Sequence, residues 1–316
     1  RYSAGKWSKT LYEILCFIII VFFTMHINYN LTKKILAWYD NNHRILPWRV
    51  SKNSSKNLYY RVLSEFMLQQ TQVKTVIPYF IKFIKKYPNI TSLSRAKKNS
   101  VMKLWEGLGY YRRARFLLQT SKIIVKKYKL KLPSDLNKIK ELPGVGDYTA
   151  NILSALVHNK ATIGIDGNVK RVFSRIFNIR EEKINFKKIF SLNQKKLFLS
   201  GRNSDFAEAI MEFGALICKP TSPNCSKCNI NKNCKSFMKK KLIFLKKNKK
   251  ISKKKYDIFC YINKNKQIAL TKKNKLGFLQ MSNMPIVKKR SKNINSNWCL
   301  LSNYNNIISN KKLNIN

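Results

Sequence analysis

The chain is poor in acid. Its 316 residues carry 14 Asp and Glu against 64 Lys and Arg, a formal charge of +50, which argues against a neutral metabolic enzyme. Histidine is scarcer: His26, His43 and His158 are all there is. Long apolar runs are missing too. The longest, Ile14 to Phe23, has about half of the roughly 20 residues that a membrane helix requires. No small-residue cleavage site follows it, as a secretory signal would need. Residues 1–24 therefore read as an upstream extension foreign to the native chain, and no membrane partner is expected. The seven cysteines are not spread as a disulfide framework: Cys218, Cys225, Cys228 and Cys234 fall within seventeen residues. In a reducing compartment such a cluster reads as a metal or iron–sulfur site.

What is present is enough to fold. Apolar residues make up 44% and aromatics 12%, more than a disordered chain of this charge would carry. At pI 10.2 the expected partner is a polyanion, because Lys and Arg that neutralise phosphates release condensed counterions. Nucleic acid leads and an anionic membrane surface is second, with A·T-rich coding accounting for part of the Lys, Asn and Ile excess. From Leu31 to about Leu216 the apolar spacing is helical, as in Leu31, Ile35, Leu36 and Trp38. Breaks at Pro47, Pro88, Pro133 and two Gly-containing turns cut it into elements of ordinary helix length, so an all-α core over residues 25–217 is predicted. Residues 235–255 form a basic linker by composition. Beyond it Ile258, Cys260, Ile262, Ile268 and Leu270 alternate like a β-hairpin, which announces a second, small domain. Residues 213–316 hold one acid, Asp257, against 25 basic residues.

Two segments carry chemistry. Leu142-Pro143-Gly144-Val145-Gly146-Asp147-Tyr148-Thr149-Ala150 joins two helical stretches through glycines. Glycine permits positive φ and close approach, so N–H groups at the second helix's N-terminus can hold a phosphate oxygen. About twenty residues on, Asp166 opens Asp166-Gly167-Asn168-Val169-Lys170-Arg171; taken alone it is a helix N-cap. The cysteine spacing C-x6-C-x2-C-x5-C leaves structural zinc and a [4Fe-4S] cubane both open.

Hairpin and Asp together resemble the helix-hairpin-helix Gly/Pro-Asp DNA glycosylases. Further segments narrow the resemblance to the adenine DNA glycosylase (MutY) family over roughly residues 30–240: Leu46-Pro47-Trp48-Arg49, Ser64 through Val73, Gly107-Leu108-Gly109-Tyr110-Tyr111 and the four cysteines. It implies two helical lobes, a six-helix lobe over about 50–160 and a second built from 25–49 plus 161–217. It also implies a [4Fe-4S] loop at 218–234, whose Lys219, Lys227 and Lys232 would meet DNA. The implied reaction is hydrolysis of the glycosidic bond of adenine opposite 8-oxoguanine or guanine in duplex DNA, by a cytoplasmic, nucleoid-associated monomer without a stable protein partner.

The roles follow from the chemistry. Adenine leaves poorly unless protonated, and the sugar develops cationic character, so two carboxylates of different pKa suit the task. Glu65, which by resemblance stands at the family motif's acid position, would donate the proton, and this needs burial to outweigh the chain's positive field. Asp166 would stay ionised, helped by the hairpin's dipoles, and stabilise the sugar cation electrostatically or as a transient adduct. By resemblance, Asn168 and Tyr148 orient Asp166 and the acid–base water, and Gly144, Gly146 and Lys227 meet phosphates. The same resemblance implies that Gln70 and Tyr110 would fill the space left by the extruded base and that Trp48, Arg49 and Glu208 would line the adenine pocket, while Tyr111 reads as core. Tyr148 stands where endonuclease III relatives carry a nucleophilic Lys, which implies a monofunctional enzyme. An endonuclease III-like pyrimidine glycosylase and lyase is the enzymatic alternative, and a decayed, non-catalytic DNA-binding protein the other. Family members also carry a Nudix-like domain with a His-containing hairpin that inspects 8-oxoguanine. No histidine follows His158, so residues 256–316 read as a truncated, partly disordered α/β remnant with Gly277-Phe278-Leu279 as an early strand.

Overall fold

The computed structural model describes residues 29–180, 184–198, 201–240, 252–271, 285–289, 304–308 and 311–315. The expected N-terminal extension and Gly277–Leu279 lie outside them. The chain divides into two compact units, residues 1–245 and 246–316.

The first unit is helical, as its periodicity predicts. It runs α1 (Tyr29–Asn42), α2 (Asn57–Leu68), α3 (Val73–Lys86), α4 (Ile90–Ser94), α5 (Lys98–Leu104), α6 (Arg112–Lys126), α7 (Leu136–Lys140), α8 (Asp147–His158), α9 (Gly167–Phe177), α10 (Phe186–Leu192), α11 (Gln194–Leu197), α12 (Asn203–Leu216) and α13 (Lys235–Met238). Two hydrophobic cores correspond to two lobes. One gathers residues between Leu46 and Leu153 around Trp105, Phe66, Phe80 and Phe83. The other joins Leu31 to Tyr39 with residues from Ile152 to Ile230, where Trp38 packs edge-on against Phe213 at 5.0 Å. Helix α8 serves both: Ala150 and Leu153 point into the first core, and Ile152, Ala155 and Leu156 into the second. A 3.6-residue period lets one helix present two apolar stripes, and here it fastens the hairpin to both lobes.

The helices end where local chemistry stops them. Asn159 and Asn178 close α8 and α9 with φ of 52° and 54°, a left-handed conformation that Asn tolerates better than most residues. No helix among the described residues is long and apolar enough to cross a membrane.

The second unit shows β1 (Ser252–Phe259), β2 (Ile286–Lys289), β3 (Tyr304–Ile308) and β4 (Lys311–Ile315), in the order β2-β1-β4-β3. Strand β1 runs antiparallel to β2, with Phe259 opposite Ile286, and parallel to β4, with Tyr256 opposite Ile315. This corrects the linker boundary, because Ser252–Lys255 belong to β1. Ladder hydrogen bonds are made by the backbone, and the partner strand lies more than fifty residues away, so local composition could not reveal it. The hairpin survives in part: Ile262 bridges Ile268, and the Ala269 N–H donates to the Tyr261 carbonyl at 2.9 Å. Ile258 pairs instead with Val287 of β2. Among the described residues this unit holds strands and no helix.

Candidate active site

Glu65 lies in the last turn of α2, a helix that is buried on nearly every side, and it is itself 6% exposed. Burial pushes its carboxyl up to about 8; Arg61 opposes this, and the charges of Glu208 and Asp166 add to it. The local reason burial prevails is visible in the ion pairs. Arg61, the cation that opposes burial, donates Nη1 to Glu208 Oε1 at 2.6 Å, so its charge is already answered. Glu208 Oε1 also accepts from Arg49 Nε at 3.3 Å, and Oε2 from the Tyr39 hydroxyl at 2.9 Å. Arg49 reaches on to Glu212, whose carboxylate is held down to about 2 despite its burial by Arg44 and Arg49. Sequence reading named Arg49 and Glu208 as a pocket lining and missed Arg61. An Arg one turn before Glu65 on a helix of otherwise apolar character was the available signal.

Asp166 is the N-cap of α9. Its Oδ1 accepts from the Val169 N–H at 2.8 Å and its Oδ2 from Asn168 Nδ2 at 2.7 Å. Burial raises its carboxyl above the usual value, and these bonds together with Arg171 pull it back. The dipole that holds the charge is thus that of α9 itself, where the sequence reading had credited the hairpin; the free N–H groups of a helix's first turn point at its own N-cap. Asn168, which donates to this carboxylate, is itself fixed, since its Oδ1 accepts from Arg171 Nη2 at 2.6 Å. Arg171 also donates to the carbonyls of Cys218 at 2.7 Å and Gly214 at 2.8 Å, which ties α9 to α12 and the cysteine segment.

Tyr148, in the first turn of α8, lies within electrostatic reach of both carboxylates, which together with burial raise its phenol well above the ordinary value. Its hydroxyl donates to Met211 Sδ at 3.5 Å rather than to Asp166. Two glycines make room for these groups. A Cβ on Gly164 would stand 2.7 Å from the Tyr148 ring, and one on Gly214 would stand 2.7 Å from Asn168 Cβ and 3.1 Å from its Cα. Gly214→Ala should therefore force α12 away from α9. We expect a loss of about 1–3 kcal/mol, read as a drop of several degrees in the thermal midpoint.

The hairpin is built as expected. Gly144 has φ of 81°, and a Cβ there would stand 2.7 Å from Phe116 and 2.9 Å from Phe66. Gly146 is exposed and caps α8, with open space where a Cβ would be. Gln69 Nε2 donates to the Gly144 carbonyl at 3.2 Å and to Thr149 Oγ1 at 3.3 Å, joining the end of α2 to the hairpin. Gln70 and Tyr110 follow α2 and the Gly107–Gly109 turn, both exposed and both left-handed, with φ of 58° and 48°. Tyr111 is half-buried against the first core. Trp48 is 4% exposed and packs edge-on against Phe80 at 5.3 Å, in the first core.

Cys218, Cys225, Cys228 and Cys234 line one pocket, with Arg175 of α9 on its wall. Arg175 donates Nη1 to Cys218 Sγ at 3.3 Å and to the Lys219 carbonyl at 2.6 Å, while the Cys234 thiol donates to the Arg175 carbonyl at 3.3 Å. Lys219, Lys227 and Lys232 are exposed around it. Among the described residues no three of His, Cys, Asp and Glu converge on a single-ion site.

A helical hairpin, a buried Glu and an Asp capping the next helix but for one turn of chain define a class, and comparison with known proteins agrees. The profile of HhH-GPD superfamily base excision DNA repair proteins matches residues 63–196. The structure is similar to that of a thermostable thymine-DNA glycosylase, with a TM-score of 0.59 and 28% identity over 66% of this chain and 95% of that one. Adenine DNA glycosylases of Buchnera aphidicola are similar over more of the chain. That of subspecies Baizongia pistaciae is 40% identical over 248 residues, 77% of this chain and 69% of that protein. That of subspecies Schizaphis graminum is 38% identical over 251 residues, 77% and 71%. The chain belongs to the adenine DNA glycosylase family of the helix-hairpin-helix superfamily.

Proposed function

We propose that this chain removes adenine mispaired with 8-oxoguanine or guanine in duplex DNA by hydrolysing its N-glycosidic bond, as a step of base excision repair. The observation that carries the reading is the pair of carboxylates, buried Glu65 on α2 and half-buried Asp166 held at the N-terminus of α9 by Val169 and Asn168, each within electrostatic reach of the other and of Tyr148. Glu65, raised to about 8, is protonated at neutral pH and can give its proton to the departing purine. Asp166, gripped by Val169, Asn168 and Arg171, faces the positive charge that grows on the sugar. Such chemistry needs the base out of the stack, at a cost of roughly a few kcal/mol, and exposed Gln70 and Tyr110 suit the space it leaves. Gly144, Gly146 and Lys227 are read as phosphate contacts, which the high positive charge favours. A monomer acting in the cytoplasm on double-stranded DNA is the simplest partner scheme.

The four cysteines fit a [4Fe-4S] cluster. They are four soft thiolate donors lining one pocket, a donor set that suits iron–sulfur ligation. When bound, the cluster would supply structure to the loop that presents Lys219, Lys227 and Lys232. The sheet of β1 to β4 stands where a Nudix-like remnant is proposed, and discrimination of 8-oxoguanine is assigned to Gln70 and Tyr110.

The test is single-turnover release of adenine from an A:8-oxoguanine duplex, with borohydride present in a parallel reaction. Wild-type protein should release free adenine and leave an abasic site with little trapped adduct, since the Tyr148 phenol cannot form an imine. Absence of release would sink the reading, and efficient trapping would sink its monofunctional part.

A further inference from the structure

We propose that Arg113 is the positioning residue of the helix-opening wedge: one guanidinium fixes both turns from which Gln70 and Tyr110 project. The inference rests on the glycosylase reading above and asks how those two residues are held. Arg113 is the second residue of α6 and is 6% exposed. Its Nη1 donates to the carbonyls of Phe66 at 3.2 Å, Met67 at 2.7 Å and Gln69 at 2.6 Å. Its Nη2 donates to those of Leu108 at 3.2 Å and Gly109 at 3.1 Å. The first three close the C-terminal end of α2, where carbonyls have no helical donor and a cation is favoured. The other two close the turn before Tyr110. The next residue in each case, Gln70 or Tyr110, is left-handed. A non-glycine residue in that conformation is strained and persists only where its surroundings over-determine it.

The surroundings here converge on Arg113. The guanidinium carbon sits 5.4 Å from the Tyr110 ring centroid and 5.3 Å from that of Trp105, whose Nε1 donates to the same Gly109 carbonyl at 2.9 Å. Among the described residues none of its hydrogen bonds goes to a carboxylate, so its charge is spent on the two turns and on the ring faces. Burial lowers its guanidinium to about 10, well inside the charged range at neutral pH. Only a planar fork reaches both turns at once; an ammonium is a single point of charge.

The experiment places 2-aminopurine at the adenine position opposite 8-oxoguanine and follows its fluorescence in stopped flow, in the Glu65→Gln background so that no hydrolysis intervenes. Arg113→Lys should slow extrusion about tenfold or more while affinity for undamaged duplex changes less than twofold. Added to Tyr110→Ala it should slow extrusion less than threefold further, because both act through one shelf. Extrusion at the wild-type rate overturns the proposal, and so does slower adenine release without slower extrusion, which would place Arg113 on the chemistry. A Lys variant that melts below assay temperature also overturns it, by reassigning Arg113 to core stability. Adenine release by the otherwise unaltered protein, run alongside, separates these failures from failure of the glycosylase reading itself.

Discussion

Asp166→Asn should leave the fold nearly untouched and slow adenine release by about 10²–10³-fold or more, the size of effect seen when a preorganised electrostatic stabiliser is removed. The residue does two jobs that this substitution separates. As an N-cap it accepts from Val169 N–H at 2.8 Å, and Asn caps a helix about as well as Asp. As a charge it faces the sugar, and Asn has none. The second oxygen accepts from Asn168 at 2.7 Å, so an amide there would meet a donor with a donor and cost about 1 kcal/mol, or a few degrees. Asp166→Ala should match the Asn variant in rate and fall below it in thermal midpoint, by the value of the lost cap. An Asn variant that keeps a tenth of the wild-type single-turnover rate would remove Asp166 from the chemistry.

That double duty explains what the sequence could and could not reveal. The helices of the first unit were legible because they bury one face, and a buried face leaves its period in the chain. The hairpin was legible because Gly144 has no substitute at φ of 81° with Phe116 at 2.7 Å. Asp166 was readable as a cap from its position alone, and became a site residue only beside the hairpin. What stayed hidden is three-dimensional pairing. Nothing local says that Arg61 on α2 meets Glu208 on α12, 147 residues on, or that Arg171 ties Asn168 to the Cys218 carbonyl. Arg113 looked like one more cation in a chain with 64 Lys and Arg. In such a composition basic residues carry little information until burial sets a few apart, and among the described residues Arg61, Arg113, Arg171 and Arg175 are the ones it buries.

The neutralisation of Arg61 leads to the prediction with the largest effect, Glu65→Gln, which should reduce adenine release by up to about 10⁴-fold, the upper range for a positioned general acid. Gln keeps the shape of a protonated Glu and offers no transferable proton. The wild-type rate should hold up to about pH 8 and then fall tenfold per unit as Glu65 ionises. Stability should follow the same group with a definite sign. Its carboxyl is about 8 in the fold and about 4.3 in an unfolded chain, so between those values the native state holds the extra proton. Stability is therefore fully present below the unfolded value and declines as pH rises toward 8. Glu65→Gln abolishes that decline, so the inactive variant should melt higher than wild type at pH 7.5 and the difference should shrink toward pH 4.5. A wild-type rate unchanged between pH 7.5 and 9.5, or a Gln variant no more stable than wild type at either pH, would mean that the buried carboxyl is already ionised. Arg61 rather than burial would then rule the site.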